Sequence, residues 1–401
     1  MRELEKIREN MKKIMTIVLL CAAISASAQT YVWKNGHALI EDPDSITFVK
    51  PDMGLQVYDS ANNSSYIDYR FTYPTVDHAG KPCVMSAVLS LQSKVKASRR
   101  IGKMALYNHY TILRSNEAPS VGELMDLQLL GMSKGMAVVS PDLEGFGVTG
   151  DRVQAYCFAE ANARVSIDAL LAARQWLVEQ GYTVGDSILN YGYSQGGQTA
   201  MAALKLSQTE YRGRVHFTKT IAGAGPYDLR LTFCKFLDWK RVGMPGVLPL
   251  TIAALNEMYH LGIKDKEAFL EPLASNMKSW IVSKKFNQEE FKQLLGTDSI
   301  AKFMQPAYCD STTAEMVRVL SYVDRMRFTD DWTPDADTDV KLYHSLNDDI
   351  VAPENSQMMY QWLVSKGVQH AVLDTTSLTG THLDSGMYFL ISAMTFDLIG
   401  W

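Results

Sequence analysis

Short apolar runs alternate with longer segments of helical periodicity through the first half of the sequence. Short runs of apolar residues, continuous or alternating with polar residues, predict strands, and apolar residues three or four positions apart predict helices. The elements predicted in this way are strands at 66–73, 83–91, 104–107, 136–139, 187–193 and 217–222 and a helix at 159–180. The first two strands are predicted to pair antiparallel across a turn at residues 77–80. The later alternation of strands and helices predicts a mostly parallel central sheet flanked by helices.

This alternation stops near residue 226 and resumes near residue 339. The intervening periodicity predicts helices at 250–261, 266–280, 288–295 and 313–327 but no strand. A strand at 340–344, a helix at 355–366, a strand at 371–375 and a helix at 385–398 follow. We therefore expect an α/β core formed by residues 64–225 and 339–401, with residues 226–338 inserted between two late strands as a helical cap.

The first 28 residues have the pattern of a secretion signal. Two lysines precede an apolar run at 14–24, and the small residues at 26–28 match the requirement of signal peptidase. We therefore predict that residues 1–28 are a signal peptide cleaved before Gln29, and that the mature chain is secreted or periplasmic. The apolar run is too short to span a bilayer, so we expect no transmembrane anchor in the mature chain.

Two smaller features belong to the same end of the chain. Cys21 raises the alternative of a lipoprotein, but the bulky Leu20 before it disfavours a lipidation site. Residues 29–63 carry two β-like runs with the hairpin signal Asn35-Gly36, and predict a short N-terminal β element.

Composition places the chain among globular proteins, since 47% of its 401 residues are hydrophobic and 21% are charged. Its formal net charge of −5, without a basic stripe, gives no indication of a nucleic-acid partner. Four cysteines remain after the predicted cleavage, and they allow three full pairings in an oxidising compartment or free thiols. They are Cys83, Cys157, Cys234 and Cys309, and the sequence leaves their state open.

The pattern Gly-x-Ser-x-Gly occurs twice, around Ser133 and around Ser194. It indicates a nucleophilic serine when a strand precedes it and a helix follows, because the sharp turn then exposes the hydroxyl. Ser133 follows a helix-like run and precedes an apolar strand, so its glycines are typical of a helix C-cap. Ser194 has a strand before it and a helix-forming run after it. We therefore predict that Ser194 is the nucleophile.

A serine nucleophile needs a base within hydrogen-bond reach and a carboxylate that orients the base, in the chain order serine, acid, histidine. The histidines downstream of Ser194 are His216, His260, His344, His370 and His382. His382 lies in a small-residue loop between the last strand and the last helix, and we predict that it is the base. The other four are expected to be structural or at the surface, with His344 holding a turn after its strand. Asp348 follows the same strand and is the predicted acid, with Asp349 as helper or alternative.

An oxyanion hole needs two backbone N–H groups directed at the carbonyl oxygen. Gln195 follows the nucleophile at a helix N-terminus, where the helix dipole favours negative charge, and supplies the first predicted donor. The second is predicted as Thr111, in a loop that reads as His-Gly-x with Tyr110 in place of glycine. His109 in this loop is equally consistent with a packing role.

Together these residues resemble the α/β-hydrolase superfamily over residues 64–401. Residues 139–147, residues 223–229 and the helical insertion look like the secretory lipase group, whose members are secreted acyl-ester hydrolases. The resemblance implies an α/β-hydrolase fold. It also implies the same nucleophile, acid and base as those predicted above.

The resemblance further places Asp142 and Glu144 in a loop that shapes the site, and we expect both to be structural. The apolar run at residues 244–250 is consistent with core packing and with an acyl pocket beneath the cap. The sequence contains no zinc-type cluster of cysteine and histidine, no phosphate-binding loop and no dinucleotide fingerprint, so we expect no metal and no cofactor.

The function expected from these residues is a secreted serine hydrolase that cleaves carboxylic esters through an acyl-enzyme. Its substrate is expected to be a small-molecule, lipid or glycan ester. Two alternatives stay open. The first is a serine peptidase of the prolyl oligopeptidase type, which shares the strand-turn-helix motif and an Asp-Asp pair. The second is a non-catalytic binding protein on a hydrolase scaffold.

Overall fold

The computed structural model describes residues 47–49, 56–59, 64–122, 125, 128, 135–327 and 331–399. The predicted signal peptide, the Asn35-Gly36 hairpin and the second serine motif at Ser133 lie outside these residues.

Ten strands form one sheet among the described residues. They are β1 Thr47–Val49, β2 Gln56–Asp59, β3 Ser64–Val76, β4 Pro82–Gln92, β5 Arg100–Asn108, β6 Ala137–Pro141, β7 Thr183–Tyr193, β8 Lys219–Gly223, β9 Asp339–Tyr343 and β10 His370–Asp374. Their order is β1-β3-β4-β6-β5-β7-β8-β9-β10, and β2 also pairs with β3. The six strands from β5 to β10 are parallel, whereas β3 and β4 form the predicted antiparallel pair. The prediction of a mostly parallel sheet is therefore confirmed.

Eleven α-helices are described, and they flank the sheet or lie between β8 and β9. They are α1 Ser93–Ser98, α2 Ala159–Glu179, α3 Gln195–Gln208, α4 Leu229–Trp239, α5 Val247–Tyr259, α6 Asp265–Ala268, α7 Leu273–Met277, α8 Gln288–Leu295, α9 Ala314–Val323, α10 Glu354–Ser365 and α11 His382–Ile399. Buried side chains of α2, α3 and α10 pack on one face of the sheet, and those of α11 pack on the other. This two-sided arrangement follows from the alternation along the strands, since Met104 and Leu106 of β5 join one core and Ala105 and Tyr107 join the other.

The helices of the structure differ from the predicted ones in two places. The helix predicted at 266–280 is broken into α6, α7 and a π-helical turn at Lys278–Val282, because Pro272 has no N–H with which to continue a helix. Helix α4 was not predicted. Its buried positions are spaced as a helix requires, and Asp228 caps it by accepting the Leu231 N–H at 2.9 Å.

The segment between β8 and β9 has an apolar core of its own. Phe233, Leu255 and Phe291 lie in this core together with Tyr156 and Val351, which belong to loops that follow sheet strands. The helical segment therefore packs against loops at the edge of the sheet where parallel strands end.

Lys284 joins this segment to the loop before α2. Its buried ammonium donates hydrogen bonds to the carbonyl of Gly150 at 3.0 Å and that of Arg152 at 2.5 Å. Burial lowers the pKa of Lys284 to about 8, although the nearby Asp151 carboxylate acts in the opposite direction. Desolvation of the ammonium is therefore the larger effect.

The lowered pKa predicts how stability depends on pH. Between about pH 8 and about pH 10, Lys284 loses its proton in the folded state while lysine in the unfolded chain keeps it. The unfolded state then binds more protons, so the contribution of Lys284 to the free energy of unfolding should rise with pH. In urea unfolding, the stability of the wild type minus that of Lys284→Met should increase across this range. The exposed neighbour Lys285, as Lys285→Met, is the control. A difference that stays constant with pH would contradict the prediction.

Candidate active site

Ser194 occupies the turn between β7 and α3. Its backbone has φ 58° and ψ −123°, in the region of positive φ that residues with a Cβ rarely adopt. Two hydrogen bonds hold this conformation: the Ser194 N–H donates to the Gly223 carbonyl at 2.8 Å, and the Ser194 carbonyl accepts from the Gln198 N–H at 3.1 Å. The strand-turn-helix order predicted around this serine is present.

The glycines around Ser194 are required by close backbone contacts. A Cβ on Gly196 would lie 2.0 Å from the carbonyl oxygen of Asn108, at the end of β5. A Cβ on Gly192 would lie 2.4 Å from the Gly196 carbonyl oxygen. Since real Cβ atoms do not approach backbone oxygen so closely, only glycine lets the first turn of α3 pack against the end of β5.

The structure brings the three predicted side chains together. The Ser194 Oγ lies 2.8 Å from His382 Nε2, and His382 Nδ1 lies 2.7 Å from Asp348 Oδ2. All three residues are buried. A carboxylate oxygen only accepts hydrogen bonds, so Nδ1 of neutral His382 carries the proton and Nε2 is left to accept the hydroxyl proton of Ser194.

The Asp348 carboxylate is buried but well supplied with donors. Its Oδ1 accepts the N–H groups of Ile350 and Val351 at 2.9 and 2.8 Å, and its Oδ2 also lies 3.4 Å from His344 Nε2. Burial favours the protonated form, but the attraction of His382 and the contacts with both histidines outweigh it and hold the pKa of Asp348 well below its usual value. Asp348 is therefore ionised at neutral pH.

His382 is held by its own backbone as well as by its ring. Its N–H donates to Asp349 Oδ1 at 3.0 Å, and its carbonyl accepts the Tyr193 hydroxyl at 2.7 Å. The Tyr193 ring also packs against the imidazole with centroids 5.0 Å apart. The sequence predicts a loop at His382 before the last helix, whereas in the structure His382 is the first residue of α11. Asp349 thus contacts the backbone of His382, while Asp348 contacts its ring.

The two predicted oxyanion donors lie beside the serine. Gln195 is the first residue of α3, and the N–H of a first helical residue has no acceptor within its helix. Thr111 lines the same cavity as Ser194, and its hydroxyl lies 3.2 Å from the Tyr156 hydroxyl. The ring of His109, by contrast, is buried against the backbone carbonyls of Tyr110 and Asp142 at 2.7 and 3.1 Å, which is a packing role.

Asp142 and Glu144 fix the loop after β6. Asp142 is buried and accepts hydrogen bonds from the hydroxyls of Ser86 and Ser120, and burial raises its pKa to about 6. Glu144 accepts the His78 N–H at 2.9 Å. Neither carboxylate is among the residues that line the cavity at Ser194, so their contacts are structural, as expected.

The cavity beside Ser194 is mostly apolar. Its walls come from the helical segment and from loops that follow strands, and they include Leu229, Phe233, Phe236, Met244, Val247, Ile350 and Val351. Two threonines in the wall direct their hydroxyls to helix carbonyls: Thr232 donates to Asp228 and Thr251 to Val247. About 20 Å³ of the cavity is accessible to the centre of a water molecule. Met244 and Val247 belong to the apolar run at residues 244–250, which the sequence leaves open to core packing or an acyl pocket.

Two other kinds of side chain could react with a thiol reagent or bind a metal ion: the cysteines, and a cluster of two carboxylates with a histidine. Each of Cys83, Cys157, Cys234 and Cys309 is a free thiol, and only Cys157 of these lines the cavity. Asp77, His78 and Glu144 bring three possible metal-ligand atoms within 4.8 Å of one another. The guanidinium of Arg152 lies 3.5 Å from Glu144 and 3.9 Å from Asp77, so it already offsets one of the two negative charges of this group.

Comparisons with known proteins place the fold. A protein from Legionella pneumophila is 20% identical, with a TM-score of 0.74, and the match covers 86% of this chain and 90% of that one. The rice cell wall degrading esterase LipA from Xanthomonas oryzae is 21% identical, with a TM-score of 0.70 and coverage of 88% and 96%. Lipase A from Candida antarctica is 14% identical, with a TM-score of 0.57 and coverage of 84% and 77%. The chain therefore has the α/β-hydrolase fold and resembles lipases in structure.

A model of the prolyl oligopeptidase family matches residues 124–246. This range includes Ser194 and α3 but ends before β9, so it contains neither Asp348 nor His382. A sequence comparison with curated proteins found no match. Among the described residues, no helix combines the length and the apolar character needed to cross a membrane.

The contact between Gly196 and Asn108 yields a prediction about stability. Gly196→Ala would force α3 away from β5, and we expect it to lower the free energy of unfolding by about 2 kcal/mol or more, as overpacking of a close contact does. Gly102→Ala, also in β5, is the matched control because its Cβ would meet nothing within 4 Å. Chemical denaturation of both variants measures the difference. Equal stabilities for the two variants would contradict the close contact.

Proposed function

We propose that this chain is a serine hydrolase that cleaves carboxylic esters through an acyl-enzyme. The observation that supports this most strongly is the hydrogen-bonded series from Ser194 through His382 to Asp348, on the wall of an apolar cavity. A serine hydroxyl is a weak nucleophile at neutral pH unless a base accepts its proton and a third group orients that base. In this proposal the three residues take the roles of nucleophile, base and acid.

The first half of the reaction forms the acyl-enzyme. Ser194 Oγ attacks the ester carbonyl carbon while His382 Nε2 accepts the hydroxyl proton. The carbonyl oxygen becomes negative, and the N–H groups of Gln195 and Thr111 are the proposed donors to it. His382 then gives the proton to the leaving alcohol as the carbon–oxygen bond to that alcohol breaks.

The second half regenerates the enzyme. Water attacks the acyl carbon and loses a proton to His382 Nε2. His382 then returns that proton to Ser194 Oγ as the bond between the acyl carbon and Oγ breaks and the carboxylic acid leaves. Throughout, the ionised Asp348 stabilises the imidazolium of His382 and fixes its orientation. A carboxylate that is already charged is suited to this role because no proton has to leave a buried group.

We also propose that residues 226–338 act as a cap over the site. The cavity wall contains Phe233 and Phe236 of α4 and Val247 of α5, so part of this segment already faces Ser194. The space accessible to the centre of a water molecule here is only about 20 Å³, and we propose that this wall moves to admit an ester. The apolar wall favours an apolar acyl group, and a lipid or glycan alcohol remains equally compatible with it.

A serine peptidase is the second candidate, because the match to the prolyl oligopeptidase family covers the segment that contains Ser194. A binding protein that has lost its chemistry is disfavoured by the intact contacts among the three side chains.

Export is proposed from residues 1–28 alone, and N-terminal sequencing of the exported chain should begin at Gln29.

Covalent labelling tests the proposal directly. We expect a fluorophosphonate probe to label the wild-type chain, because only an activated serine reacts readily with it, and Ser194→Ala to abolish labelling. Ser133→Ala, in the second Gly-x-Ser-x-Gly motif, should label as the wild type does. Hydrolysis of p-nitrophenyl esters should fall by about 10⁴-fold or more in Ser194→Ala. Labelling that persists in Ser194→Ala would exclude this serine.

The two candidate activities are separated by their substrates. A series of p-nitrophenyl esters from acetyl to palmitoyl, assayed beside proline-linked peptide amides, compares ester with peptide cleavage in one protein. The proposal requires a higher kcat/KM for at least one ester than for every peptide. The chain length with the highest kcat/KM then measures the acyl pocket.

A further inference from the structure

His344 follows β9 and is fully buried beside the proposed acid. Its Nε2 lies 2.9 Å from the Val351 carbonyl oxygen and 3.4 Å from Asp348 Oδ2, the same oxygen that accepts from His382 Nδ1. Its Nδ1 lies 2.7 Å from the hydroxyl of Ser356 on α10. Both ring nitrogens therefore have partners, although the reaction proposed above assigns no role to this histidine.

These contacts determine the tautomer of His344. A carbonyl oxygen can only accept a hydrogen bond, so the nitrogen that faces Val351 carries the proton. The neutral ring then has an unprotonated Nδ1, which accepts the hydroxyl proton of Ser356. The positive end of the Nε2–H bond thus faces both the Val351 carbonyl and the Asp348 carboxylate.

His344 also holds Val351, and the backbone N–H of Val351 binds the other carboxylate oxygen of Asp348. Val351 donates its N–H to Asp348 Oδ1 at 2.8 Å and accepts from His344 at its carbonyl, so this residue is held at both polar groups. The loop from Asp348 to Val351 is short and is otherwise bounded by the start of α10. Loss of the His344 donor would leave the Val351 carbonyl without that partner and would free the loop to move.

We propose that His344 is a positioning residue that keeps the Asp348 carboxylate aligned with His382, through an Nε2–H held between Val351 and Asp348. The proposal rests on the ester-hydrolase function above. His344 acts on the reaction only through Asp348 and does not touch the substrate. Misalignment of an acid loosens the base that it orients, and a misplacement of about 1 Å at a reacting centre can cost about 10²-fold in activity.

Two amide substitutions separate the two ring nitrogens. Glutamine places a side-chain nitrogen near the position of Nε2, so His344→Gln can keep the donor to Val351. Asparagine is shorter and reaches only the position of Nδ1, so His344→Asn keeps a partner for Ser356 but loses the donor. Ser356→Ala removes the other contact and tests whether anchoring to α10 matters on its own.

We expect kcat for a p-nitrophenyl ester, per serine titrated with fluorophosphonate, to fall about 10- to 100-fold in His344→Asn with little change in KM. His344→Gln should stay within about threefold of the wild type. A purely structural role would lower the melting temperature of both variants and leave kcat per titrated serine unchanged. That result, or equal losses of kcat in the two variants, overturns the proposal.

The tautomer offers a test that does not depend on the variants folding equally well. Nitrogen-15 NMR of histidine-labelled wild-type protein, with the His344 signal assigned from His344→Gln, should show a proton on Nε2 and none on Nδ1. A proton on Nδ1 overturns the proposal. If the wild-type chain does not react with fluorophosphonate, the proposed function fails, whereas normal labelling with an Nδ1 proton rejects only the role of His344.

Discussion

The close packing of the first turn of α3 against the end of β5 is the constraint on which the candidate site depends. Gly196 meets the Asn108 carbonyl oxygen with no room for a side chain, and the chain can therefore turn sharply between β7 and α3. The positive φ of Ser194 is tolerated because hydrogen bonds to Gly223 and Gln198 hold both sides of the residue. The serine hydroxyl is thereby presented at the end of the parallel strands, toward the loops that follow β5 and β9.

The second constraint is electrostatic. A carboxylate that is removed from water is costly unless donors replace the lost hydration. Asp348 meets this requirement with two backbone N–H groups on one oxygen and two histidines near the other. The site is thus built from a short loop after β9 that supplies its own donors, and from the start of α11, which brings His382 to Oδ2 of the carboxylate.

The similarity to solved structures lies in the sheet and the helices that flank it, and less in the side chains that line the cavity. Structures that are 14% to 21% identical share the sheet and its helices with this chain over most of their length. The cavity wall, however, depends on side chains of α4, α5 and the run around Met244. Binding specificity depends on the side chains of a site and not on the fold that carries it. The fold therefore explains why Ser194, His382 and Asp348 meet, while the wall of the adjoining cavity comes largely from the helical segment.

The sequence by itself determined the order of elements, the turn at Ser194 and the candidates Asp348 and His382, because strand alternation, glycine spacing and chain order are local or one-dimensional properties. The helical spacing of the buried residues of α4 is also present in the sequence. Only the tertiary structure decided that His344 lies beside Asp348, that α11 begins at His382, and that α4 and α5 form the wall opposite Ser194. These depend on contacts between residues distant in the chain or on the direction of a side chain, and periodicity does not specify either.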